Sequence, residues 1–199
     1  MKNSAVGKTL DSIENELGYE RSRFGFVKYF NRKTGEAITE EQSKEMPLHD
    51  IFSVFVDIIP DSEKLETFKD TFGFKPPSEP LLRQAFENDK AEPLGPYVEW
   101  GNSASSKICD IDLLAAMKIR SVPQRDKEHK RVKDVCDLHA LLWYPSEFGE
   151  MVEKVKKIVA EKDLKKLEDK IDEEVINNAS NLVGVDKESL RKSIERLYF

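Results

Sequence analysis

From Asp112 to the end of the chain, apolar residues recur at helical spacing with no alternating stretch among them, and this most restricts the fold. A helix opening at Asp112, a good N-cap, has to stop before Pro123. The next, from about Arg125 to Tyr144, sets Val132, Val135, Cys136, Leu138, Leu141 and Leu142 on one broad face, and Pro145 ends it. The same spacing predicts helices from Phe148 to Ala160 and from Leu164 to Leu182, a break at Gly184, and a last helix capped by Asp186. No internal repeat and no low-complexity tract interrupts this order.

The first half follows another pattern. Val6, Leu10, Ile13 and Leu17 have helical spacing and are followed by Gly18. Phe24 to Phe30 reads as a strand and Arg32 to Gly35 as a turn, with a polar loop after it. Ile51 to Ile59 is apolar on both faces, which predicts a central strand covered on both sides and stopped by Pro60. A short helix is expected within Asp61–Phe72 and another around Leu81–Phe86, in a proline-rich loop region. One more strand is expected at Ser106–Ile111. The expectation is an α+β protein: a small mixed β-sheet with helices over residues 1–110, then a helical C-terminal part over 111–199.

Charged residues make up 35% of the chain, against about 25% in an average globular protein. The net charge of −6 excludes unspecific binding of nucleic acid by the whole surface, so an anionic ligand needs a local basic patch. Two cysteines, Cys109 and Cys136, are too few for a disulfide framework and suggest a reducing compartment. The sequence contains no apolar run long enough to span a bilayer and opens with no signal peptide, so a cytoplasmic protein without membrane contact is expected.

Two places bear residues suited to chemistry. Asp57 sits within an otherwise apolar strand, on the face of Ser53, Phe55 and Ile59. A carboxylate there either lies at the strand's wet end or serves a metal ion, since burying it unpaired costs several kcal/mol. The second place follows Ile111: Lys118 and Arg120 near one helix end, then Arg125, Lys130, Arg131 and Lys133 on the next. Lysine binds phosphate as a point charge and arginine as a fork. Asp134 and Asp137, three apart, share a helix face, and Asp137 is flanked by Cys136 and Leu138. Lys127, Glu128 and Lys130 read as a solvated face.

Leu113-Leu-Ala-Ala-Met-Lys118-Ile-Arg120, Gln124-Arg125-Asp126-Lys127 and Lys133-Asp134-Val-Cys-Asp137-Leu138 together resemble the C-terminal signature of AbiEii-type nucleotidyltransferase-like proteins, toxins of abortive-infection and toxin–antitoxin systems. More weakly, Phe55-Val-Asp57-Ile-Ile59 resembles that family's later core strand. The resemblance implies an enzyme of nucleotidyltransferase fold. It would move a nucleoside monophosphate from a nucleoside triphosphate to an RNA acceptor such as tRNA, with Mg²⁺. It implies Asp57 as a metal-binding acid, and Lys118, with Arg120, Arg125 and Lys133, as nucleotide contacts. Asp134 or Asp137 would orient the lysine or act as base, and an antitoxin would be a protein partner. The same resemblance leaves a noncatalytic nucleotide- or RNA-binding relative, or a protein-interaction module, as alternatives.

The chain departs from that family at its start. The glycine-rich turn and Asp-x-Asp pair that precede the Asp57 strand in such enzymes have no counterpart, as though the first strands were missing. Gly101-Asn-Ser103 followed by Asp110-Ile-Asp112 imitates them, but the gap is too short for the intervening helix. Val6-Gly7-Lys8-Thr9 imitates the end of a P-loop without its earlier glycine. His49, His129 and His139 lack zinc-ligand spacing, and His139, beside the helix core, is expected to be structural.

Overall fold

The computed structural model describes residues 4–22, 24–62, 64–98, 106–145 and 147–198, and divides into two compact units, 1–80 and 81–199. The protein is α+β. No helix among the described residues is long and apolar enough to cross a membrane.

In the N-terminal unit, Ser4 accepts from the Gly7 amide and starts α1 (Ala5–Asp11), which runs on as a wider turn to Glu16 before Gly18 turns the chain with φ of +67°. The sheet centres on β2 (Gly25–Asn31). Antiparallel β4 (Ile51–Asp57) pairs along the whole length of one edge of β2. The short β1 (Glu20–Arg21) and β3 (Ala37–Ile38), also antiparallel, share the other edge. Gly25 is required where β2 meets β4, because a Cβ there would lie 2.0 Å from the Val56 carbonyl oxygen. Between β3 and β4, Thr39 and Gln42 form a reciprocal capping box at α2 (Glu40–Lys44), so this stretch, expected as loop, is partly helical. Helix α3 (Glu66–Phe72) ends on Gly73 in the left-handed conformation. Leu10, Phe26, Phe68 and Phe72 form the unit's core, and Phe74 meets Phe26 edge-on at 6.1 Å.

The Ile51–Ile59 run is therefore an edge strand and not a covered central one. Phe52 and Phe55, on opposite faces, are 52% and 62% exposed. Strand β2 takes the central place because it alone has partners along both edges.

The C-terminal unit begins with α4 (Leu82–Glu87) and a hairpin of β5 (Ala91–Pro93) with β6 (Lys107–Cys109). Six helices follow: α5 (Ile111–Ser121), α6 (Glu128–Trp143), α7 (Phe148–Ile158), α8 (Glu161–Glu168), α9 (Glu173–Val183) and α10 (Lys187–Glu195). Their inward faces make one continuous core from Ala115 through Leu138 and Leu167 to Leu197. Two boundaries differ from expectation. Helix α5 starts with Asp110 at the N-cap, while Asp112 is buried in the first turn and accepts from Lys90 Nζ at 2.8 Å. The Leu164–Leu182 segment is two helices, because Asp172 caps a new one by accepting from the Val175 amide. The Lys90–Asp112 pair, with the β5–β6 hairpin and α4, places residues 81–110 in the helical unit, so the units part after Pro80 and not near residue 111.

Candidate functional site

Lys118 lies in the last turn of α5, on the side facing α6, because Leu113, Ala116 and Ile119 turn the rest of the helix into the core. Pro123 and a single turn of 3₁₀ helix (Val122–Gln124) then reverse the chain, leaving Arg125 in extended conformation just before α6. On α6, Val135 and Leu138 are buried, which sets Asp134 and Asp137 toward α5.

Together these elements build one cluster. Asp134 is the hub: its Oδ1 accepts from Lys118 Nζ at 2.7 Å, while its Oδ2 accepts from Arg125 Nε at 2.5 Å and from the Ser121 hydroxyl at 3.2 Å. Asp137 Oδ2 accepts from Lys118 Nζ at 2.7 Å. The Asp134 side chain is 5% exposed, against 31% for Lys118 and 40% each for Arg125 and Asp137, so a buried carboxylate carries two cations at the edge of the core. Burial by itself raises the Asp134 carboxyl's pKa, but hydrogen bonds from Arg125 and Lys118 outweigh it and hold the group below the ordinary carboxylate range. For Lys118 burial pulls the ammonium down, the bonds to Asp134 and Asp137 push it up, and it ends above the usual lysine value.

An ammonium has three donors and a guanidinium five. Two of the Lys118 donors are committed to carboxylates, which fixes the direction of the third. Arg125 gives its Nε to Asp134, and its terminal amino groups have no acceptor among the described residues. Arg131 adjoins them: it donates to the Arg125 carbonyl at 3.4 Å, and its Nε is buried with no hydrogen-bond partner among the described residues. The cluster thus presents fixed cationic donors beside a carboxylate already held by three bonds, an arrangement suited to holding an anion with several oxygens.

Not every expected residue joins it. Arg120 turns the other way and donates to Asp163 of α8 at 3.2 Å, tying two helices together. Lys133 is exposed, one residue before Asp134 and so off the face toward α5. Asp57 belongs to the N-terminal unit, exposed at the end of β4 opposite Gly25. It offers a single carboxylate, and no group of three or more metal-binding side chains occurs among the described residues. Mg²⁺ takes six oxygens in near-octahedral geometry, so Asp57 by itself does not fit the ion.

Gly101–Ser103 lie outside the described residues. His139 is buried, its Nδ1 2.7 Å from the Ser193 hydroxyl. That hydroxyl donates to the Leu190 carbonyl, so Nδ1 carries the proton, and burial lowers the ring's pKa. Ser121 and Lys90 were missed as partners of Asp134 and Asp112. Helical spacing signals Ser121, three residues past Lys118, but nothing in the sequence signals Lys90, twenty-two residues before Asp112. A cavity of about 780 Å³ in the N-terminal unit, lined by Lys8, Asp11, Glu14, Arg21 and Asp70 among others, contains none of the expected residues. Arg21 is bound there to Glu14 through two hydrogen bonds.

Comparison of the chain with family models, curated proteins and solved structures finds no match.

Proposed function

We propose that the α5–α6 cluster binds the triphosphate of a nucleoside triphosphate, in a nucleotidyltransferase-like protein that passes the nucleoside monophosphate to an RNA acceptor such as tRNA. The observation that carries this is the single buried carboxylate of Asp134, which holds Lys118 and Arg125 side by side with donors left over. The two carboxylates balance the two cations, so the affinity for a polyanion rests on the donors left over, the third of Lys118 and the terminal amino groups of Arg125. In transfer, the acceptor hydroxyl oxygen bonds to the α-phosphorus, the bond from that phosphorus to the bridging oxygen breaks, and pyrophosphate leaves with the electron pair. Lys118 and Arg125 then stabilise charge gathering on the leaving phosphates. Asp134, held ionised by three donors, is a positioning residue. Asp137, more exposed and bonded to Lys118 alone, is the acid better placed to take a proton.

A second reading, noncatalytic binding of a nucleotide or RNA, is favoured by Asp57, whose exposed carboxylate offers Mg²⁺ one residue's oxygens. Free thiols at Cys109 and Cys136 support a cytoplasmic setting, where a toxin role and an antitoxin partner belong with the first reading. Incubating the folded chain with RNA, Mg²⁺ and each of the four labelled nucleoside triphosphates separates the two. Label entering RNA, and lost in Lys118→Ala, supports transfer. Nucleotide binding that is lost in Lys118→Ala, without incorporation, supports the noncatalytic reading. Neither binding nor incorporation defeats both.

A further inference from the structure

The end of β2 and the turn after it run Lys28-Tyr29-Phe30-Asn31-Arg32-Lys33, basic and aromatic residues interleaved in a chain of net charge −6. Register places Phe30 directly across from Phe52 of β4, and alternation puts Lys28 and Val54 on the same sheet face. Toward the other end of that face Phe26 is closed into the core at 1% exposure. Around Phe52 the face stays open as a groove of about 410 Å³, lined by Phe30, Asn31, Arg32, Gly35, Phe52 and Val54, a set with one arginine and no acid. Lys28 Nζ stands 5.8 Å from the Phe30 ring centre and 5.7 Å from that of Tyr19. The nearby acid Asp50 is taken by Lys33 at 2.9 Å, and Arg32 is exposed with no ion pair among the described residues.

From this juxtaposition we infer that the Phe30–Phe52 face binds single-stranded nucleic acid, one base stacking on the two phenyl rings while Arg32 and Lys28 meet the flanking phosphates. Aromatic side chains on an open sheet face stack any unpaired base, and neighbouring cations track the backbone. Asn31 suits the base's polar edge: its Oδ1 is occupied by the amides of Lys33 and Thr34, leaving the NH₂ as donor. A purely apolar partner, or a second copy of this strand, would cover Arg32 and Asn31 without answering their donors, which costs free energy. The inference supplies an acceptor surface for the proposed transfer but does not depend on it, because binding is measured without nucleotide.

The test is fluorescence anisotropy of the full chain with a labelled, unstructured 12-nucleotide RNA, the DNA of the same sequence, and the RNA duplex. Saturable binding of single strands is expected, with the duplex much weaker. Phe52→Ala, a surface change whose folding circular dichroism verifies, should weaken binding about ten-fold. Arg32→Gln should lower the slope of log affinity against log salt by about 0.7. Preference for RNA over DNA would give the face to the acceptor, and equal binding supports the surface without that assignment. Three results overturn the inference: no binding by the folded chain at low salt, wild-type affinity in Phe52→Ala, or self-association lost in Phe52→Ala without any binding of the strands.

Discussion

Among the described residues the core of the helical unit gathers nineteen buried side chains and that of the sheet unit four, while both units leave aromatic rings exposed, Phe52 and Phe55 in the sheet unit and Phe86 and Tyr144 in the helical one. Charges divide in the opposite sense. In the helical unit Lys118, Arg125, Asp134 and Asp137 neutralise one another at the rim of the core. In the sheet unit Arg32 stands exposed beside Phe30 and Phe52. A row of charges in a sequence is thus no measure of how much charge a folded surface offers. The donors left after mutual pairing matter, and at the helical cluster these are one direction on Lys118 and the two amino groups of Arg125.

The first way to break this comparison is through its cores. Leu138→Ala, at a fully buried position, should cost the helical unit about 4 kcal/mol, cavity term included. Both tryptophans, Trp100 and Trp143, fall in the 81–199 stretch of the sequence, so intrinsic fluorescence during urea unfolding reports on that part of the chain. Next in size is Gly25→Ala. The added methyl would press on the Val56 carbonyl and cost about 3 kcal/mol. Faster amide exchange in β2 and β4, with the tryptophan transition unmoved, would locate that damage in the sheet unit.

Asp134→Ala leaves Arg125 without its carboxylate and Lys118 with Asp137 alone, and should cost about 2 kcal/mol, less than the roughly 3–5 of a fully buried pair because Lys118 and Arg125 still reach water. Its pH dependence has a definite sign. With the native pKa of Asp134 below the unfolded value of about 4, its stabilisation is complete above that pH and is lost as pH falls through the native value. Subtracting the urea midpoints of Asp134→Asn from those of the wild type between pH 6 and pH 2 isolates this contribution, and a flat difference would refute it. Smallest of all, Phe52→Ala should change stability by less than about 0.5 kcal/mol, since its ring is half exposed. A larger loss, read by exchange in β4, would mean the ring is structural.

How far the sequence foretold this molecule depended on the range of the interactions involved. Four of the last six helices were legible, and α8 with α9 read as one, because spacing, prolines and caps such as Asp186 act within a few residues. The break before Asp172 was readable from that cap and was obscured by the continuing apolar pattern of Leu167, Ile171 and Val175. That Lys118 meets Asp134 was foreseeable, since a tight turn at Pro123 folds two adjacent helices together. The place of β4 was not, for an apolar strand reads alike at the centre of a sheet and at its edge, and only pairing across the sheet decides. Nor was the diversion of Arg120 to Asp163, forty-three residues away.

The most direct test follows the Lys118 side-chain nitrogen by NMR while a nucleoside triphosphate is titrated in. The account predicts a saturable shift of the Lys118 Nζ resonance, abolished by Arg125→Ala at the same nucleotide concentration. Saturation of the protein with nucleotide while that resonance stays still would contradict it.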